Sequence, residues 1–481
     1  MPEELKLALL IIGSILMLLI FVILIRTITF KDKETYNKNR DEIIPHDDIV
    51  HKLGQMLKVP TVTYEDRPRD EEEFKKFIEV ARNLYPNVFN KCEVTITEDL
   101  AIKLKLAGKS DEKPTVLMAH YDVVPVTEGW KHDPFLGEVV EGYLYGRGAL
   151  DTKNTMACAL NALEHALNDG YVPQNDLYLC FGSNEEIIGD SQLKLVREFE
   201  KNNIHPALVF DEGGGVLSNA FPTVKEDVAF LGVVEKGMCN IELSIETNGG
   251  HSSTPRKNGP AIRMAKALIK LEKNQMKPKL INTTKEMLDK LGRHTSFGLK
   301  MIFANMWLFK GLVKKLFTKI SADTRALLQT TFAFTILNGG NQTNIIPNKV
   351  TANINVRVAP WNTVEEVVNH IKKTIKDDDI KVNVVTQVKI YDECSTKEAG
   401  YDLIKEVTAQ TFENTVISPF IMLGGTDAKH YNEISDCVIR FSPMRVTAQD
   451  RKTIHGLDEK IKVEELLKCQ EFYQRLLLKL K

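Results

Sequence analysis

The chain opens on an apolar run in which residues 7–25 carry no charge. At about 1.5 Å per helical residue this run spans roughly 28 Å, close to the hydrocarbon thickness of a bilayer. A cleaved signal peptide would need a basic start and a small-residue cleavage site. Glu3 and Glu4 stand at the start and no such site follows. The run therefore predicts a retained transmembrane anchor, with a polar stalk of mixed charge over 26–44. After the stalk the hydrophobic period switches repeatedly. Residues 115–120 (TVLMAH), 176–182 (DLYLCFG) and 207–210 (ALVF) are short apolar runs of the kind found in buried strands, and 155–169 repeats at helical spacing. Strand–helix–strand order predicts an α/β fold, a mixed and mostly parallel sheet flanked by helices.

Near residue 238 the pattern changes. Residues 240–247 alternate polar and apolar, as a half-exposed strand should. Helical spacing follows over 261–273 and 364–376, and strand-like runs over 331–337, 350–358 and 381–389. This predicts a small α+β lid domain over 238–393, inserted into a catalytic domain made of 45–237 and 394–481. Helical spacing resumes at Tyr401, and 463–480 closes the chain as a helix. Residues 275–328 are an insertion that a minimal lid does not need. Within it, 301–317 (MIFANMWLFKGLVKKLF) is apolar and basic at once. It reads either as an amphipathic helix packed on the lid or as a surface for a membrane or a greasy substrate.

A length of 481 residues exceeds one ordinary core, in keeping with two globular units. A net charge of -2, with no basic stripe, gives no reason to expect nucleic acid as a partner. Cys92, Cys158, Cys180, Cys239, Cys394, Cys437 and Cys469 are scattered and form no CxxC pair, so free thiols are expected, with neither a disulfide framework nor a thiolate metal site. Lys6 precedes the apolar run while Arg26, Lys31, Lys33, Lys38 and Arg40 follow it; by that count alone the main body faces the cytoplasm.

Five short segments carry chemistry. In MAHYDVVP, His120 ends an apolar strand and Asp122 stands two residues on, on the same face. That spacing lets a carboxylate orient an imidazole, although a lone HxD is also an ordinary strand end. In LYGRGALDTKN, Asp151 follows a glycine-rich turn and precedes a helix, as a metal ligand or a cap. In CFGSNEEIIGD, Glu185 and Glu186 follow a buried strand, and one could bind metal while the other takes a proton from water. Asp211 and Glu212 follow another strand in LVFDEGGG, and His455 stands in TIHGLDE. Nitrogen and oxygen donors at strand ends are what a hydrolytic two-metal site needs.

Taken jointly, the order His-x-Asp, Asp, Glu-Glu, Asp, His resembles the di-zinc family of aminoacylases, glutamate carboxypeptidases and vacuolar carboxypeptidase S. The supporting strings are AHYDVVPV, GWKHDPF, LYGRGALDTKN, SNEEIIG, VFDEGG, GGHSSTP, NIIP and TIHGLDEKI, and the resemblance covers residues 45–481. It looks closest to the carboxypeptidase S branch and the secreted N-acyl amino acid hydrolases and synthases. The resemblance implies two Zn2+ ions, with Co2+ or Mn2+ as substitutes. His120, Asp151, Glu186, Asp211 and His455 would be ligands, Asp151 the bridge, Asp122 the orienting group and Glu185 the general base. Glu212 stands beside Asp211 as the rival ligand. A cis peptide is implied after Asp151. From the lid, His251 would hold the oxyanion, while Asn344, Arg357, Gly424 and Gly425 would bind a substrate carboxylate. In related enzymes the histidine comes from a neighbouring subunit or from lid closure, so a homodimer through the lid is expected.

The implied reaction is cleavage of an amide next to a free carboxylate, in an N-acyl amino acid or a peptide. A catalytically inactive membrane-tethered binding protein is the alternative, and it would have lost a ligand or the base. The family branch also works outside the cytoplasm, which tips the expected orientation of this single-pass protein to an extracytoplasmic catalytic domain, against the count of basic residues.

Overall fold

The computed structural model describes residues 2–32 and 42–481. The central part of the expected stalk, 33–41, lies outside the described residues. Among the described residues, nine strands form one mixed sheet. Across it run Glu93–Ile96, Ile102–Leu106, Asn175–Gly182, Ser110–His120, Leu208–Asp211, Val438–Arg440, Asp227–Glu235 and Thr415–Met422, with Gly215–Leu217 paired to Asp227–Glu235. The centre is parallel: Ser110–His120 pairs in parallel with both Asn175–Gly182 and Leu208–Asp211, which in turn pairs in parallel with Val438–Arg440. These strands are buried on both faces, which is why they read as continuous apolar runs.

The helix Lys153–Asn168 covers one face. Ala157, Cys158, Ala159 and Ala162 are buried along it. Such small side chains admit close approach of the C-terminal helix Val463–Lys479, its main helical neighbour. Its first residue, Lys153, is fully buried and donates to the Val59 carbonyl at 2.8 Å, and burial pushes its pKa down to about 7.

A separate antiparallel sheet forms the lid, in the order Thr331–Asn338, Lys349–Val358, Gly237–Glu246, Lys381–Gln387. Lys349–Val358 alternates buried and part-buried positions along its length, as a strand with one covered face should. The covered face packs Ile241, Leu243, Ile245, Val350, Ile354 and Val356 under the helices Pro260–Lys273 and Val364–Ile375. Burying each such side chain contributes roughly 1.5–3 kcal/mol before chain entropy is charged against it. A capping box between Thr363 and Glu366 starts the second helix.

The helices of the insertion join a core separate from that of the lid sheet. Of these helices, Asn282–His294 packs against the outer strand Thr415–Met422 of the large sheet, Phe297–Ala304 packs on Asn282–His294, and Met306–Ile320 packs on Phe297–Ala304 and Ala322–Ala326. There Met287, Leu288, Leu291, Phe303, Val313 and Phe317 share a core with Val228, Phe230, Val416 and Ile421. The reason is supply of apolar surface. The lid's inner face already has two helices over it, whereas an edge strand of the large sheet needs a cover.

Among the described residues, one helix, Glu3–Thr29, is long and apolar enough to cross a membrane. Residues 26–32, expected in the stalk, continue that helix to Thr29 and dock on the insertion. Arg26 donates through Nε and Nη2 to the Ala304 carbonyl, and the Arg293 guanidinium stacks 4.3 Å over Phe30.

Candidate metal centre and catalytic cleft

Three of the expected ligand segments end strands of the large sheet at one edge, and the Asp151 and His455 loops, which flank the separate sheet Lys460–Lys462, Tyr143–Tyr145, Glu138–Val140, reach the same edge. His120 is the last residue of its strand. Glu185 and Glu186 form a short 3-10 turn after Asn175–Gly182, and Asp211 closes Leu208–Asp211. Asp151 follows Gly148, whose φ of 89° needs glycine, and the Asp151–Thr152 peptide is cis. His455, itself at φ 56°, precedes the strand Lys460–Lys462. This is the carboxyl edge of the parallel strands, where open α/β sheets place their ligands.

Asp151 stands at the centre. Its Oδ1 lies 3.1 Å from His120 Nε2 and its Oδ2 lies 3.0 Å from His455 Nε2. Glu186 Oε2 is 3.0 Å from the same His455 nitrogen, and Glu212 Oε1 is 3.0 Å from His120 Nε2. Each half of the cluster therefore presents one imidazole nitrogen and oxygens of two carboxylates, with Asp151 shared. Donor atoms of His120, Asp151 and Glu186 all lie within 4.8 Å of one another.

The two neighbouring carboxylates Asp211 and Glu212 are placed differently. Asp211 turns away from His120: its Oδ2 accepts from the Ala428 N–H at 3.1 Å and its Oδ1 from the Glu212 N–H at 2.9 Å. Successive residues at a strand end face opposite ways, so Glu212, and not Asp211, lies beside His120 Nε2. Asp211 instead ties the loop around Asp427–Glu433 to its strand.

His120 Nδ1 lies 3.0 Å from the Asp122 carbonyl oxygen, an acceptor only, so that nitrogen carries a proton and the ring is held with Nε2 toward the cluster. The Asp122 carboxylate is fully buried; it accepts from Thr63 Oγ1 at 2.9 Å and from the N–H groups of Glu185 and Glu186 at 3.1 and 3.2 Å. One side chain thus locks two of the ligand-bearing loops together.

The electrostatics fit cations. Burial pushes Glu186 and Glu212 up to about 7, and Asp211 and Asp427 up to about 6. Glu185 rises well above the usual range through burial, and through Asp427, Glu212 and Glu186 beside it. Hydrogen bonds to Asp151 and Glu186 raise His455 to about 10. Burial opposes charge on Asp151, yet His120 and His455 hold its carboxyl below the usual carboxylate range. So many buried carboxylates around two imidazoles form an excess of negative charge that a pair of divalent cations would neutralise. The oxygen and imidazole donors suit zinc and also cobalt or manganese, and do not choose among them.

Some contributors went unread in the sequence. Glu459, buried in the same segment as His455, accepts from the N–H groups of Gly148, Leu150 and Asp151 and from Arg147 Nη1 at 2.8 Å. It holds the glycine-rich turn in shape, and the only sequence signal was its proximity to His455. Asp427 is buried with Oδ2 unpartnered, and the residue stands directly after Gly424-Gly425-Thr426.

Beside the cluster opens a cleft of about 310 Å³ between the two sheets. Glu185, Glu186 and His455 line one wall; Arg357, Lys236, Lys389, Gly424 and Gly425 complete it. The structure thus brings Arg357, Gly424 and Gly425 to the cluster. It does not bring His251 or Asn344 there. His251 is exposed, with Nδ1 2.8 Å from Ser253 Oγ, and the Asn344 carbonyl accepts from the Ser252 N–H. His251 sits on the two-stranded ribbon Gly250–His251 with Ile345–Ile346, and Asn344 immediately precedes that ribbon's second strand. A second, apolar chamber of about 280 Å³ shares Gly424 with the cleft and is walled by Leu217, Phe221, Phe230, Leu291, Phe317 and Phe420 among others.

Residues 116–479 match the profile of peptidase family M20/M25/M40. The chain belongs to this family. Among curated relatives of this M20 protein, a probable carboxypeptidase S-like protein of Dictyostelium discoideum is 31% identical over 97% of this chain and 93% of its own. An N-fatty-acyl-amino acid synthase/hydrolase of Xenopus tropicalis is also 31% identical, over 96% of this chain and 93% of its own. Among solved structures, an M20 family metallo-carboxypeptidase of Sulfolobus solfataricus superposes with a TM-score of 0.64 at 19% identity, covering 90% of this chain and 99% of that one. The M20 fold and a metallohydrolase family membership follow from these likenesses.

Proposed function

We propose that this chain hydrolyses an amide bond next to a free carboxylate at a two-metal centre, as a carboxypeptidase or N-acyl amino acid hydrolase. The observation that carries the reading is Asp151, set between His120 Nε2 and His455 Nε2 at 3.1 and 3.0 Å. In this reading His120, Asp151 and Glu212 hold one cation, and Asp151, Glu186 and His455 the other, with zinc the expected ion. When bound, such a pair activates water and polarises the amide carbonyl. Asp122 keeps His120 in its tautomer. Glu185 faces the cleft and takes the proton of the attacking water, then returns it to the leaving nitrogen.

Arg357 offers a guanidinium fork to the substrate carboxylate, and Gly424 and Gly425 add backbone donors. His251 and Asn344 reach the reacting group only from a closed lid or from the lid of a neighbouring subunit. The outer lid strand Thr331–Asn338, with Phe334, Ile336 and Leu337 exposed, supports a homodimer formed through the lid. The apolar chamber adjoining Gly424 supports an N-acyl substrate over a short peptide. The helix Glu3–Thr29 tethers this body to a membrane, with the catalytic domain outside the cytoplasm. Purified chain, assayed on N-acyl amino acids of rising chain length and on dipeptides, tests the reaction. Glu185→Gln should lower kcat by about 10²–10⁴-fold with metal content unchanged. Turnover retained in that variant rejects Glu185 as the base.

A further inference from the structure

Neither the metal centre nor the cleft uses the surface of the insertion. Its helices Phe297–Ala304 and Met306–Ile320 expose Phe297, Trp307, Leu308, Leu312, Leu316 and Ile320 to solvent. Leu308, Leu312, Leu316 and Ile320 recur every fourth residue, so they form one stripe along the helix. Val313 and Phe317, on the other side, are buried in the protein core. Across 297–320 there is no Asp or Glu, while Lys300, Lys310, Lys314, Lys315 and Lys319 are all basic. An apolar stripe flanked only by lysines is the composition of a helix that lies in a membrane surface.

The depth of this element is fixed by the anchor. Asn305, at the turn between the two helices, is fully buried and donates through Nδ2 to the Ile23 carbonyl at 3.3 Å and to Thr27 Oγ1 at 3.4 Å. Arg26 reaches the Ala304 carbonyl at the same turn. Ile23 to Thr27 is the end of the apolar stretch, where it meets the headgroups. The turn therefore sits at that boundary, and the exposed stripe continues the apolar surface of the anchor.

We propose that the two helices Phe297–Ala304 and Met306–Ile320 lie in the headgroup layer of the bilayer, forming a second membrane contact beside the anchor. Their leucines and Trp307 enter the acyl boundary, and their lysines reach to anionic headgroups. The placement rests on the anchor being retained, and the test separates the two. All seven native cysteines are buried, so a surface cysteine takes a fluorescent label selectively. The full chain carrying Leu312→Cys, or separately Leu308→Cys, is labelled with an environment-sensitive dye and assembled into nanodiscs containing phosphatidylserine. Ile262→Cys, on an exposed apolar position of the lid helix Pro260–Lys273, serves as the reference. Brominated lipid should quench the labels at 308 and 312 by about twofold or more and leave the label at 262 unchanged. Equal response at 312 and 262 in assembled discs overturns the proposal while the anchor stands. A full chain that does not enter discs overturns both.

Discussion

At the residue scale, the choice between Asp211 and Glu212 decides how the metal centre is built. Both are buried or nearly so, both are acidic, and no spacing rule in the sequence separates them. Only the strand's last residue and the direction of the following turn do. Glu212→Ala should drop bound metal from two equivalents to about one, measured by mass spectrometry of the purified protein. Asp211→Asn should keep both equivalents, because that carboxylate serves the Ala428 and Glu212 N–H groups. Its cost should be about 1–3 kcal/mol of stability in a denaturant titration. Loss of metal from Asp211→Asn alone would restore the assignment made from the motif. The other members of the cluster were legible jointly, because His120 and Glu186 follow apolar strands and Asp151 follows a glycine-rich turn. Glu459 was not legible, since its partners are backbone N–H groups hundreds of positions earlier.

At the scale of elements, the junction of the two sheets is instructive. Asp227–Glu235 belongs to the large sheet and Gly237–Glu246 to the lid, with Lys236 alone between them. Lys236 is buried and donates to the carbonyls of Ala326 and Gln329 and to Thr331 Oγ1. Burial, and Arg357 beside it, push its pKa from 10.5 down to about 7. Below about pH 7 the amine is charged in both states and its burial penalty is felt in full. Between about 7 and 10.5 the unfolded chain holds the extra proton, so this group's contribution to stability rises with pH. Lys236→Met should flatten that rise relative to the parent, by urea titrations at pH 7 and pH 9. An equal slope in both proteins would show that the amine stays charged in the fold. Alternation foretold the lid strand here, over 240–247, because it has one wet face. It could not foretell where the insertion packs. Period reveals that a helix has an apolar side and says nothing of which surface that side meets.

For the whole molecule, the cluster of buried carboxylates ties stability to metal. Stripping the protein with a chelator at pH 7 should lower the Tm, and adding zinc, cobalt or manganese should restore it. At free metal about a thousandfold above Kd, each cation stabilises the fold by about 4 kcal/mol. An unchanged Tm on chelation would remove the metal centre from the account. The large mixed sheet with a separate lid sheet, and the apolar first helix, were legible because they rest on patterns tens of residues long. The remoteness of His251 and Asn344 from the cleft was not, since a loop's motif carries no information about how far its domain swings. The path of the chain bears on that swing. It passes between the sheets at Lys236, again between Lys273 and Asn282, again between Ala326 and Thr331, and last between Gln387 and Ala399. A door hung on one pin turns freely; one laced to its frame at several heights only flexes. Any closure in this protein must therefore bend the insertion as well, so stiffening that block, even far from the cleft, should slow the cycle of opening and shutting.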